Sequence, residues 1–125
     1  MNGPRYLADT HILLWALADD ERLPKRHRTI LLSDAEIYFS AASIWEIAIK
    51  KSLGKLKAPN HLADLLERAG FRALDIKMVH AEAVVDLPFH HSDPFDRILI
   101  AQGALEELII MTVDKHFAHY DVEII

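Results

Sequence analysis

The chain is 125 residues long and 51% hydrophobic, enough for one domain with a sizeable core. It has no cysteine, which excludes disulfides, thiolate zinc sites and cysteine nucleophiles and suits a reducing, cytoplasmic setting. A net charge of −5 supplies no global basic field for nucleic acid, so any grip on phosphate must be local.

Met1 to Arg5 leads into an apolar segment too short for a signal peptide, and no apolar run approaches the roughly 20 residues of a membrane span. Arg5 to Ala8 reads as a short buried strand. His11 to Ala18 reads as a helix apolar almost all round, which predicts burial on two sides. Pro24 suits the first turn of a helix over Lys25 to Ser33. Glu36 to Phe39, rich in Ile, Tyr and Phe, reads as a second strand. Ser43 to Leu53 reads as a helix closed by Gly54, and His61 to Ala69 as one opened by Pro59-Asn60 and closed by Gly70. Arg72 to Leu74 is a weak strand, and Lys77 to Leu87 an amphipathic helix ending before Pro88. Asp93-Pro94 starts a helix to about Leu105, followed by an Ile-rich strand over Leu108 to Thr112 and a last short strand over Val122 to Ile124. This alternation predicts a single α/β domain over residues 1–125, built on a parallel sheet, with no linker and no repeat.

Four acids stand at the edges of these apolar segments: Asp9, Glu46, Asp96 and Asp114. In open parallel sheets ligands bind outside the carboxyl ends of strands, at a switch point in strand order. Asp9 follows the first strand and Asp114 the Ile-rich one, while Glu46 and Asp96 are placed in first turns of helices. If the four meet, their mutual repulsion is relieved by a divalent cation with oxygen ligands, Mg²⁺ or Mn²⁺. Each acid also has a local reading. Asp9 suits an N-cap. Ser43-x-x-Glu46 matches a capping box. Asp93 suits an N-cap with Pro94 at the first helical position and Asp96 at the third. Asp114 suits a turn.

The eight histidines are densest at His90-His91-x-Asp93 and His116-x-x-His119. No His-Glu-x-x-His pattern occurs, and the histidines read as loop and surface residues, with His90 or His91 leading into the acidic helix start. Lys50, Lys51, Lys55 and Lys57 form the main basic cluster, a solvated face or the flank of a substrate path. Trp15 and Trp45 lie in apolar helical stretches and read as core or interface.

Four blocks carry a resemblance to a known family. They are Leu7-Ala8-Asp9-Thr10-His11, Ser40-Ala41-Ala42-Ser43-Ile44-Trp45-Glu46-Ile47, His91-Ser92-Asp93-Pro94-Phe95-Asp96-Arg97-Ile98-Leu99-Ile100-Ala101-Gln102 and Thr112-Val113-Asp114-Lys115-His116-Phe117. In order, type and context they resemble PIN-domain ribonucleases of the VapC toxin type, from Leu7 to Ile125. The resemblance implies a three-layer α/β/α sandwich with a central parallel sheet. It also implies a homodimer, a Mg²⁺- or Mn²⁺-dependent endoribonuclease that leaves 3′-hydroxyl and 5′-phosphate ends, and a cognate antitoxin. By that resemblance Asp9, Glu46, Asp96 and Asp114 are the catalytic, metal-binding acids, and Thr10 and Thr112 are supporting hydroxyls. Asp93 belongs to the motif from its cap position, and Arg97 steadies the motif acid or touches phosphate. Gly103 departs from the alanine expected there, at a cost in helix propensity and without touching an acid.

Two further expectations follow. The many-sided apolar segment His11 to Ala18 is expected to contribute to a two-fold dimer. An antitoxin tail is expected to wrap apolar surface and place an arginine or lysine among the carboxylates. The alternatives are a non-catalytic binding module and a metal-dependent phosphatase. An aspartyl-phosphate enzyme wants a second acid two positions after its nucleophile, and His11 stands there.

Overall fold

Short apolar strands of four residues or so cannot bury both faces without helices, and here each strand feeds one. The computed structural model describes residues 3–125. Met1 and Asn2, read above as part of the single domain, lie outside the described residues. The elements run β1 (Arg5–Ala8), α1 (Thr10–Ala18), α2 (Lys25–Leu31), β2 (Glu36–Ser40), α3 (Ala41–Ser52), α4 (Leu62–Arg68), β3 (Arg72–Leu74), α5 (Met78–Ala83), α6 (Pro94–Leu105) and β4 (Ile109–Met111). Two 3₁₀ helices, Val84–Asp86 and Lys115–His119, complete them.

The four strands are parallel in the order β3-β2-β1-β4. Chain order runs outward from β1 through β2 to β3, then returns to β4 on the other side of β1. The switch point therefore lies outside the carboxyl ends of β1 and β4. Side chains alternate across the sheet. Tyr6 and Ala8 pack with Ile12, Leu13, Phe39, Ile47 and Leu66 under α1, α3 and α4. Leu7 and Ile110 pack with Leu99, Ile100 and Phe117 under α6. The result is the expected α/β/α sandwich. Among the described residues no helix is long and apolar enough to cross a membrane.

Four sequence-level boundaries are corrected. α3 starts at Ala41, not Ser43, because Ser40 is its N-cap and its Oγ accepts the Ala42 N–H at 3.0 Å. Pro24 stands at the cap position of α2, which stops at Leu31. The helix expected to Leu87 is α only to Ala83 and then tightens to 3₁₀. Val122 to Ile124 is not a strand. Ile124 forms a single parallel bridge with Ile110, and the chain end is tied there by Ile110 N–H to Glu123 O and Ile125 N–H to Ile110 O, both 2.9 Å.

Gly103 has a tertiary reason rather than a cost. A Cβ built there would stand 2.8 Å from Ile110 Cδ1 and 2.9 Å from Ile110 Cγ1. Ile110 is fully buried, so it cannot step aside. Gly103→Ala gains about 1 kcal/mol of helix propensity and meets an overpacking penalty of roughly 1–3 kcal/mol. We expect the single variant to lower the melting temperature and Gly103→Ala with Ile110→Val to recover part of the loss. Additive losses in that double-mutant cycle would show that the close approach does not matter.

Candidate metal centre

Asp9 continues β1 by one residue. Its N–H donates to Met111 O at 3.0 Å, the last rung toward β4, and its extended backbone turns the chain into α1. It is the N-cap of α1, accepting the Ile12 N–H at 3.0 Å. Asp114 leaves β4 and caps the following 3₁₀ helix, accepting the His116 N–H at 2.9 Å. Asp93 caps α6 by accepting the N–H groups of Phe95 and Asp96 at 2.8 and 3.1 Å, with Pro94 at the first helical position. Asp96, at the third, reaches into the same space.

Glu46 comes from α3, and here a local reading is overturned. With Ser40 as the cap, Ser43 lies inside the helix and Glu46 in its second turn. There is no capping box and no first-turn position. Ser43, Glu46, Ile47 and Lys50 instead share one helical face. Glu46 Oε1 accepts the Thr10 hydroxyl at 2.8 Å and Oε2 accepts from Lys50 Nζ at 2.9 Å. Thr10 has one hydroxyl proton, so its 2.9 Å contact with buried Ser43 is made by the Ser43 hydroxyl donating.

Asp9, Glu46, Asp93, Asp96 and Asp114 line one cleft of about 220 Å³ with Thr10, His11, Lys50 and His91. All four acids singled out in the sequence are thus brought together at the switch point. Thr112 lies beneath. Its Oγ1 accepts the Asp114 N–H at 2.9 Å, and its hydroxyl favours the ionised Asp9 carboxyl. His91 enters between Asp96 and Asp114, with Nε2 at 2.7 and 3.7 Å from their Oδ2 atoms.

The charges are unequal. Burial pushes the Asp9 carboxyl above its ordinary pKa, against the bonds from Thr112 and the Ile12 N–H. Burial, and then the Asp93 charge, push Asp96 up to about 6, although His91 opposes them. At Asp114 burial also pushes upward, but the His116 N–H, the His116 ring and the His91 charge together hold it below the ordinary value. Five carboxylates share the cleft with one lysine, Lys50, and the imidazoles of His11 and His91. An all-oxygen donor set with surplus negative charge fits a hard divalent cation.

Two expectations are corrected. Arg97 does not face the cleft. It is buried, and its guanidinium donates to the carbonyls of Val84, Leu87, Pro88 and His91, holding the segment that carries His91. His27 and His80 are fully buried rather than surface histidines, bonded to Ile125 O and to Glu106. The apolar outer side of α1, expected to contribute to a dimer, borders a groove. Leu14, Trp15 and Leu17 line a groove of about 560 Å³ closed by residues 55–59. Ser43, read in the sequence as a cap, instead meets Thr10, and Tyr120, whose Oη accepts the His90 and His91 N–H groups at 3.1 and 2.9 Å, carries no signal in the sequence.

The model of the PIN domain family matches residues 6–123. No curated protein matches the chain in sequence. Solved structures that are similar include VapBC2 from Rickettsia felis bound to a DNA fragment from its promoter, with TM-score 0.69, 13% identity and 97% of each chain covered. VapBC from Salmonella typhimurium bound to DNA gives TM-score 0.69, 15% identity and 98% of each chain. FitAcB from Neisseria gonorrhoeae gives TM-score 0.63, 19% identity and 95% of each chain. At such identities these likenesses establish the fold.

The crowding has a measurable consequence. Asp96 binds its proton up to about pH 6 in the folded chain, against an ordinary 3.8. The unfolded chain therefore releases that proton first, and the stability Asp96 contributes below pH 3.8 is lost as pH rises through 6. In metal-free protein Asp96→Asn should remove this loss, about 1–3 kcal/mol. Melting at pH 4.5 and 7.5 checks it. A variant that melts no higher than the parent at pH 7.5 would show that the carboxylate is no burden.

Proposed function

We propose that this chain, which belongs to the PIN domain family, is a Mg²⁺- or Mn²⁺-dependent endoribonuclease and the toxin of a toxin–antitoxin pair. The convergence of Asp9, Glu46, Asp96 and Asp114 from four elements on one cleft carries this reading. The VapC-type resemblance and the shared fold with VapBC proteins support it.

The four carboxylates would hold the cation, which when bound makes a water acidic enough to attack and offsets charge on the phosphate. The chain's own part is positioning. The Thr10 hydroxyl orients Glu46, and Thr112 holds the Asp114 N–H. Three of the acids sit at helix starts, where backbone N–H groups fix Asp9, Asp93 and Asp114. Lys50, half exposed at the mouth, stands where it can meet a phosphate. In-line attack of water on phosphorus would leave a 3′-hydroxyl and a 5′-phosphate.

The groove beside α1 shares Thr10, His11 and Lys50 with the acid cleft. An extended antitoxin segment seated on Leu14, Trp15 and Leu17 would end at the carboxylates, where its arginine or lysine replaces the metal's charge. The expected dimer through α1 would compete for that groove, and Trp45, Ile49 and the C-cap Leu53 form a second exposed row at four-residue spacing along α3. Sedimentation of the chain alone and with its co-encoded partner checks both points. A monomer at tens of micromolar opposes the dimer, and no complex opposes the antitoxin.

Asp9→Asn and Asp96→Asn should keep the fold, by circular dichroism, and lose ~100-fold or more of metal-supported RNA cleavage, the several kcal/mol a bound cation supplies. Parent-rate cleavage by either variant would overturn the assignment. A phosphatase substrate turned over in place of RNA would favour the phosphatase. A parent that binds its partner but never cleaves RNA would favour the binding module.

A further inference from the structure

The cleft leaves one group of side chains at its rim without a task. His91, on the segment before α6, and His116, in the 3₁₀ helix after β4, stack with ring centroids 4.8 Å apart and planes 16° from parallel. Asp114 lies between their inner edges, with Oδ1 2.9 Å from His116 Nδ1 and Oδ2 3.7 Å from His91 Nε2. One donor atom from each residue lies within 4.8 Å of the other two. We propose that His91, Asp114 and His116 form a second cation site, for an imidazole-binding transition metal such as Zn²⁺, which shares Asp114 with the acid cleft.

The donor chemistry separates the two sites. Mg²⁺ demands oxygen ligands, whereas imidazole suits Zn²⁺ and its transition-metal neighbours. Two imidazoles and a carboxylate make three protein ligands and leave the fourth position of a tetrahedral ion to solvent. Donors about 2 Å from a common tetrahedral ion stand about 3.3 Å apart, so the widest pair must close by about 1–1.5 Å.

The structure shows which ligand can move. His91 is held, because Tyr120 Oη accepts its N–H at 2.9 Å and Arg97 donates to its carbonyl at 3.4 Å. Asp114 is fixed by its own N–H on Thr112. His116 is the adjustable member, its side chain 59% exposed. Metal at His91 Nε2 takes the place of the proton that now bonds Asp96, and any proton on either ligating nitrogen leaves to solvent.

The inference concerns binding and stands whether or not the chain cleaves RNA. Chelator-treated full-length protein is titrated with Zn²⁺ by calorimetry and with Co²⁺ by visible absorption. One saturable equivalent is expected, with a Co²⁺ spectrum of nitrogen and oxygen ligands. His116→Gln and His91→Gln should each weaken it by about tenfold or more, and Asp9→Asn should retain it. His116 is exposed, so its variant tests the site without endangering the fold. The proposal is overturned if no saturable binding occurs below millimolar Zn²⁺, or if both histidine variants bind as the parent does. It is equally overturned if Asp9→Asn abolishes binding, because the ion would then sit among the acids.

Discussion

Repulsion among carboxylates at the switch point is the constraint the rest of the structure answers. Two like charges 4 Å apart cost about 4 kcal/mol at an effective dielectric of 20. A small domain has only 5–15 kcal/mol of stability in all. The chain meets this in three ways. The Thr10 hydroxyl donates to Glu46, and the Thr112 hydroxyl favours the ionised form of Asp9. Helix starts present N–H groups to Asp9, Asp93 and Asp114. Lys50 brings positive charge, and His91 a ring nitrogen 2.7 Å from Asp96, to the edges of the cluster. Burial first, and then neighbouring negative charge, still raises the pKa values of Asp9 and Asp96, and a divalent cation on the proposed reading would offset both.

The acids and their counter-ion are held by different kinds of structure. Asp9 and Asp114 follow the neighbouring strands β1 and β4, and Glu46 and Asp96 lie on helices packed to the sheet. His91 rides on an irregular segment. That segment stays in place because a buried arginine without a carboxylate partner spends its donors on four carbonyls, while Tyr120 takes two N–H groups beside it. A buried charge satisfied by backbone dipoles is costly to disturb. Arg97 thus serves the site by fixing the loop that brings His91 over the acids.

Much of this was legible in the sequence. Alternating strands and helices with acids at strand ends lead to an α/β domain on a parallel sheet and to one cleft at the switch point, while the three-layer sandwich follows from the family resemblance. The Ser43-x-x-Glu46 spacing misled, because Ser40 is an equally good cap three residues earlier. The face shared by Ser43, Glu46, Ile47 and Lys50 was the available signal for the true register. Adjacent positions on a helix lie about 100° apart, so Arg97 could not share a face with Asp96. Gly103 was beyond local reasoning, since propensity knows nothing of Ile110 across the core. The pairing of His91 with His116 depends on a loop and a 3₁₀ turn, neither of which leaves a periodic pattern.

Groove and cleft together also set what the two proposed ligands have in common. They share Thr10, His11 and Lys50, and Lys55, Lys57 and Arg22 line the groove's polar side. With a net charge of −5, this is where a phosphate chain would find local positive potential. The floor, however, is Leu14, Trp15 and Leu17, which rewards apolar side chains. An RNA strand would use the lysines and need the cation. A protein segment would use the floor and bring its own charge to the acids. Both end at the same carboxylates, so on the proposed reading substrate and inhibitor exclude each other without any conformational change. The inhibitor holds the advantage wherever apolar burial outweighs screened contacts to exposed lysines.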